Sequence, residues 1–443
     1  MNWDLGQLEC VFCNAQFNCS IGLSNKETVQ VFSFCCHQCS GILSIEIDPI
    51  KHADHKLTNA NRVERPEKSF LDLKSVRLHL DFPAVLTDGW LPLSLFTLAA
   101  FMLREGARIE HFKVVTSELN FYSKNILTLQ SIFNFHKNGK AKQLYLASKT
   151  LLREDFGFID SDPDYTNSMG ELDDITPREL DVIFYKTLMG ISVVLNKGEN
   201  PDHKIKKLSS YFSSLDEEKL YDFHSYLSNN GYLKSSAATI NNIYSDIFSN
   251  EEFFRPSIFL SDYGEMPGKD QKSPLRLVGE KVGVILNIYK DLVEVIAKQY
   301  IVIVGLRNIK VSKNFNAFNK KAVSMGKRSV RINCMADFSS LDLGVKPRFM
   351  EGCLYFNELK KISSRIRNSI AHNSWEYNEV TQVVTFKFSK NVDEKTDSKN
   401  SLSKKMLEIN GDVISLFRLM HKLNTVNYLF GCFYGRRDFR ENG

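Results

Sequence analysis

Two sets of residues in this sequence have the types and spacing for chemistry. The first is Cys10-Val-Phe-Cys13 and Cys36-His-Gln-Cys39, two C-x2-C pairs separated by 22 residues. Each pair sets two sulfurs on one tight turn, and four thiolates suit a tetrahedral zinc ion. Four protein ligands leave no open coordination position, so the expected metal is structural rather than catalytic. Cys35 can stand in for Cys36, and His37 for a thiolate; the spacing leaves both open. The second set is Arg365, Arg367, Asn368 and His372 in Ser364-Arg-Ile-Arg-Asn-Ser-Ile-Ala-His372. A cation can stabilise charge on a phosphate, and an imidazole can move protons near neutral pH. That pairing suits phosphodiester chemistry.

The elements that must hold these residues follow from periodicity. Val29–Phe34 and Ile42–Ile47 alternate apolar and polar residues, so the thiols are expected between short strands, in a zinc ribbon over residues 1–48. Ile362, Ile366 and Ile370 recur at i, i+4, i+8, the apolar stripe of a helix expected from Phe356 to His372. Arg365, Asn368 and His372 fall at i, i+3, i+7 and share another face. Asn373 and Ser374 end that helix. A long helix is expected over Leu277–Val304, a hairpin over Trp375–Phe388, a charged loop over 389–404, and a closing helix from Met406 to Leu429 that contains Gly411.

The chain has 443 residues, 43% hydrophobic and 25% charged, as a folded protein does, and length alone suggests about three domains. We place boundaries in a polar stretch, Asp48–Lys68, and in a Gly/Pro-rich one, Ser261–Pro274. A middle domain of unnamed type, 70–260, is divided near 160–175 by an acidic run. In that run Asp160, Asp162, Asp164 and Glu171 mimic a calcium loop, but Tyr165 stands where the loop needs glycine. A solvated linker is the better reading. The longest apolar run, Trp90–Leu103, holds Pro92 and is too short for a bilayer, which takes about 20 residues. No membrane contact and a cytoplasmic location are therefore expected, the latter in keeping with six of nine cysteines lying in the first 39 residues.

The net charge of +5 hides an asymmetry. Residues 275–443 carry 29 Lys/Arg against 16 Asp/Glu, whereas the first 274 carry 28 against 36. Within the basic part, Lys310, Lys313, Lys320, Lys321, Lys327, Arg328 and Arg331 occur without an intervening acid. A polyanion such as RNA is the expected partner of that segment.

Arg367-Asn368-Ser-Ile-Ala-His372 resembles the R-x4–6-H signature of HEPN domains, in which a polar residue follows the arginine. An upstream helix with Glu294 and Lys298 resembles the family's E-x3-K, and the hairpin after the motif resembles many bacterial members. A zinc ribbon ahead of such a domain resembles HEPN proteins of defence and restriction loci. The resemblance covers residues 275–443. It implies an α+β chain, mainly α, ending in a HEPN-like antiparallel helical bundle with a β-hairpin insertion that forms a homodimer. It further implies a metal-independent endoribonuclease in which His372 is the general acid/base, Arg367 holds the scissile phosphate and Asn368 orients the site. Glu294, Lys298 and Arg365 have supporting places. A toxin of antiphage, abortive-infection defence, restrained by an antitoxin or triggered by a phage component, is the implied setting. Two other functions stand beside it: a non-catalytic HEPN module that binds nucleotide or RNA, and a regulator whose zinc ribbon contacts nucleic acid. Against the last, Lys26 is the only Lys or Arg in residues 1–48.

Overall fold

The alternating segments around the cysteines are strands, and more strands complete them than the sequence announces. The computed structural model describes residues 2–24, 29–50, 55–66, 68–81, 84–88, 124–125, 127–155, 183–185, 187–188, 201–261, 275–279, 281–318, 323–325, 328–388 and 400–434. It is an α+β chain, about half helical. The chain divides into two units that do not follow chain order. The first holds Met1–Leu127, Phe248–Asn287 and Asn373–Ile414, and the second Thr128–Ile247, Ile288–His372 and Ser415–Gly443. The expected acidic linker at 160–175 and the apolar run Trp90–Leu103 lie outside the described residues, as does most of the linker at Ser261–Pro274.

In the first unit, β1 (Asn2–Cys10) and β2 (Gln16–Gly22) form a hairpin, and β3 (Gln30–Cys35) and β4 (Ile42–Ile47) form another. The stretch 48–68 is not merely a linker. It contains β5 (His55–Thr58), which pairs with β4, and β6 (Ala60–Arg62), which pairs with β1. β7 (Lys74–His79) then lies parallel to β2, followed by β8 (Ala84–Asp88) and β9 (Leu275–Arg276), in the order β6-β1-β2-β7-β8-β9. The physical reason is core size. About 48 residues bury little apolar surface alone. Here Leu8, Phe17, Ile21, Phe32, Leu43 and Ile45 share one core with Ala60, Val76, Leu78 and Ala84. The ribbon is therefore part of a larger β unit, and the expected middle domain, 70–260, is split between the two units.

Helices follow from α1 (Ala141–Asp155) through α2 (Pro201–Ser213), α3 (Glu217–Asn229), α4 (Tyr232–Ser249) and α5 (Glu251–Ser261). In the first unit α5 carries Arg255, whose side chain is 2% exposed. Its Nε donates to Glu251 Oε2 (2.7 Å), Nη2 to Glu251 Oε1 (2.5 Å), and Nη1 to Asp81 Oδ1 (2.7 Å) just past β7. Fork-to-carboxylate geometry is the arrangement in which a desolvated guanidinium is tolerated. The same unit holds β12 (Trp375–Asn378), β13 (Val383–Lys387) and β14 (Ser401–Lys405), a three-stranded sheet in that order. The hairpin is as expected. The third strand replaces the far end of the expected charged loop: Ser401–Lys405 reads as polar because it is an edge strand with little burial.

The second unit is mostly helical, with a small hairpin of β10 (Val323–Met325) and β11 (Arg328–Val330). The expected long helix runs further than read, as α6 (Val282–Ser312). In this unit it buries Leu292, Val293, Ile296, Ile303 and Val304 and leaves Lys298 and Lys310 exposed. At Gly305 a Cβ would fall 2.1 Å from the Phe223 ring of α3, so only glycine permits that approach. Two short helices, α7 (Met335–Ser340) and α8 (Phe356–Leu359), precede α9 (Ser364–Ala371). The single helix expected over Phe356–His372 is thus broken, because Ser363 caps a new one: its Oγ accepts the Ile366 N–H (3.3 Å). The closing helix, α10 (Met406–Tyr434), runs straight through Gly411. Among the described residues, no helix is long and apolar enough to cross a membrane.

Two stability measurements check this account. Arg255→Met leaves two carboxylates without their cation and should cost about 3–5 kcal/mol, read as a fall in denaturation midpoint. In the second unit the buried His421 shares a 2.8 Å hydrogen bond with the Tyr244 hydroxyl, and burial pushes its pKa down to about 3. An unfolded histidine titrates near 6.5, so the unfolded chain binds more protons between those values. Stability should therefore fall as pH drops from about 6.5 toward 3. His421→Gln should flatten that fall in urea melts at pH 7 and pH 5.

A thiol cluster and a candidate nucleic-acid site

The four thiols predicted from spacing converge. Cys10, Cys13, Cys36 and Cys39 place all four sulfurs within 4.8 Å of one another, with Cys10–Cys39 at 3.6 Å and Cys13–Cys36 at 3.7 Å. Those edges belong to a tetrahedron with centre-to-corner distances of about 2.2 Å, close to a metal–thiolate bond. The group can hold one metal ion. Cys36, not Cys35, completes the four. His37 lies instead with its ring 6.1 Å from Phe17, and Cys19 is a buried core residue of β2.

Two equivalent backbone turns build the cluster. In the first, Cys10 N–H donates to Ala15 O (3.0 Å) and Asn14 N–H to Cys10 O (2.9 Å). In the second, Cys36 N–H donates to Gly41 O (2.8 Å) and Ser40 N–H to Cys36 O (3.1 Å). Asn14 (φ 56°) and Ser40 (φ 67°) take the same left-handed conformation, four residues after the first cysteine of each turn. Backbone N–H groups also point at sulfur: Gln38 to Cys36 (3.5 Å) and Gly41 to Cys39 (3.4 Å). The Gly41 contact pulls the Cys39 thiol down to about 7, while burial pushes Cys36 up. A Cβ at Gly41 would lie 2.5 Å from the Phe12 ring. Asn59, in the former linker, ties the two turns together by donating to Ile42 O (2.9 Å) and accepting from Val11 N–H (3.1 Å). Asn14, Ser40, Gly41 and Asn59 were missed as parts of the site. A small or turn-forming residue just after each C-x2-C was the signal available.

The second set lies on α9 in the helical unit. Ile366, Ser369 and Ile370 are buried, and Arg365, Asn368 and His372 are exposed, so the face expected from spacing is the face observed. His372 is the C-terminal cap; its N–H donates to Asn368 O (3.0 Å), and Asn373 turns left-handed (φ 51°) to end the helix. Arg367 is half-buried. Its Nη2 and Nε donate to Glu294 Oε1 of α6 at 2.7 and 3.1 Å, and its Nη1 to Asn368 Oδ1 at 2.9 Å. Glu294, Arg367 and Asn368 thus form one network. These three bonds engage three of the five N–H donors of a guanidinium and fix its plane, leaving two for a ligand. Lys298, one turn beyond Glu294, is exposed and does not join that network.

The basic segment is only partly described. Lys310, Lys313 and Arg331 are exposed; Lys310 Nζ stands 5.1 Å over the Tyr211 ring, and Lys313 turns left-handed (φ 54°) just past α6. Lys320, Lys321 and Lys327 lie outside the described residues, and Arg328 is described only as part of β11. Comparison with protein-family models, with curated proteins and with solved structures found no match.

The thiol cluster makes a direct prediction. Protein purified without chelator should carry about one metal ion per chain by elemental analysis. Cys36→Ser should lose the metal, and Cys35→Ser should keep it. Equal loss in both would overturn the assignment of the fourth ligand.

Proposed function

We propose that residues 275–443 act as a HEPN-type domain and that the chain is a metal-independent endoribonuclease. The observation that carries the reading is the Glu294–Arg367–Asn368 network on the helix that ends in the exposed His372. In this reading Arg367 and Asn368 bind the scissile phosphate through the donors that Glu294 leaves open. The 2′-hydroxyl oxygen bonds to phosphorus as its proton passes to an imidazole. The bond from phosphorus to the 5′-oxygen breaks, and that oxygen takes up a proton. The products carry a 2′,3′-cyclic phosphate and a 5′-hydroxyl, so DNA is spared. A homodimer that brings two motif helices together supplies one imidazole from each subunit, one as base and one as acid. The setting we favour is a toxin of antiphage defence, active in the cytoplasm and restrained by an antitoxin or activated by a phage component.

The metal we assign to the thiol cluster is zinc, on the all-sulfur donor set and its tetrahedral spacing. Its part is structural: zinc bound there adds folding free energy to the β unit. A second reading, a non-catalytic RNA- or nucleotide-binding module, is favoured by one observation, the pairing of Arg367 with a carboxylate that offsets its charge.

Cleavage of a mixed RNA pool decides between them. Loss of a general acid/base costs about 10²–10⁴ in rate, so His372→Ala should abolish visible cleavage while leaving the fold intact. Glu294→Gln should slow cleavage less, by loosening Arg367. RNA with 2′-deoxyribose at the cut site should resist. Equal cleavage by wild type and His372→Ala, or no cleavage by wild type with its trigger present, would leave the binding-module reading in place.

A further inference from the structure

Arg365 sits two residues before Arg367 on α9 but in a different environment. Arg367 is half-buried and fixed to Glu294 and Asn368, whereas Arg365 is exposed on the face that also carries Asn368 and His372. Helix geometry separates their roles. Arg367 and His372 are five residues apart, about 7.5 Å along the axis, within the span of one phosphodiester and two side chains. Arg365 and His372 are seven residues apart, about 10 Å, and a helical side chain leans toward the N-terminus, which carries the Arg365 guanidinium further from the imidazole. Ahead of the Ser363 cap in sequence stand Lys360 and Lys361, both exposed and in a turn. From Leu359 to Trp375 there is no acidic residue.

We infer that Arg365 binds a phosphate next to the scissile one, with Lys360 and Lys361 extending the track, so that the site grips a single RNA strand along the motif helix. The inference rests on the ribonuclease reading for its substrate class, but it concerns a contact that His372 chemistry does not require. Arg365 is a binding residue in this assignment, and Arg367 belongs to the reacting phosphate. Contacts of this kind set the register of the strand and carry no base information. Whatever sequence preference exists must come from other residues.

The test is made on the full chain with a single-stranded 2′-O-methyl RNA decamer, which cannot be cleaved, and with the matching RNA decamer, which can. A charge-assisted hydrogen bond contributes about 1.5–3 kcal/mol, so Arg365→Gln should weaken decamer binding by roughly 10- to 100-fold. The slope of log affinity against log salt should become shallower by about 0.7, the release expected for one single-strand phosphate contact. Arg365→Lys should recover part of both. On the cleavable decamer Arg365→Gln should raise KM far more than it lowers kcat. Unchanged affinity and salt slope would overturn the inference. So would a fall in kcat with KM unmoved, which would put Arg365 at the scissile phosphate. If the decamer binds and Arg365→Gln weakens it but wild type never cleaves, the ribonuclease reading fails and the phosphate contact stands. If wild type does not bind the decamer, both fail.

Discussion

A guanidinium without water must be surrounded by acceptors, and the first unit is arranged to supply them to Arg255. Glu251, one turn earlier on α5, offers both carboxylate oxygens, and Asp81 offers a third acceptor from the end of β7. The partners lie 4 and 174 residues away in sequence. A helix therefore cannot shift against the sheet of its own unit without stranding a buried charge, at a cost of several kcal/mol. The apolar core of that unit could tolerate small slips, since burial has no direction. The ion network cannot, because its bonds do. It fixes the end of β7, an interior strand of the sheet whose β1–β2 hairpin carries the first thiol turn.

The thiol cluster and the α9 network are built on opposite plans. The cluster is made by backbone: paired turns with a left-handed residue just after each C-x2-C, N–H groups aimed at sulfur, and a glycine over which Phe12 lies. Its cysteine side chains contribute only sulfur, and the Asn59 amide ties the two turns. The α9 network is made by side chains on a short helix whose apolar stripe is buried and whose ends are both capped. Arg367 reaches another helix, and it does so with a carboxylate already in place. Such a pairing holds a guanidinium in one plane before any ligand arrives, which lowers the ordering cost of binding.

How much of this was readable in the sequence depended on how local the signal was. The cysteine turns were readable because four cysteines at fixed spacing admit few other uses. The exposed face of α9 was readable because its stripe of isoleucines sets the phase of the helix. The break at Ser363 was not, since Ser-Ser-Arg continues a helical pattern as well as it caps one. β5, β6 and β14 were hidden for a different reason. They are polar edge or near-edge strands, and alternation fades where neither face is fully buried. Arg255 and Asp81 were beyond reach altogether, because nothing local in either segment marks the other.

Glu294 shows where a resemblance and a physical reading diverge. The resemblance put Glu294 and Lys298 in one supporting pair, as an acid and a base one turn apart on α6. The geometry treats them differently: the acid meets Arg367, and the lysine faces solvent. A carboxylate in that position does two opposing things. It orients Arg367, which favours a phosphate arriving in one pose, and it offsets the positive charge that would attract the phosphate at all. If the ligand is RNA, as we propose, the site needs other cations to bring it in, and the exposed ones nearest in the chain are Arg365, Lys361 and Lys360. Attraction and orientation are thereby assigned to different residues of the same short segment. One arginine is kept in place by an acid, and its neighbours carry the field.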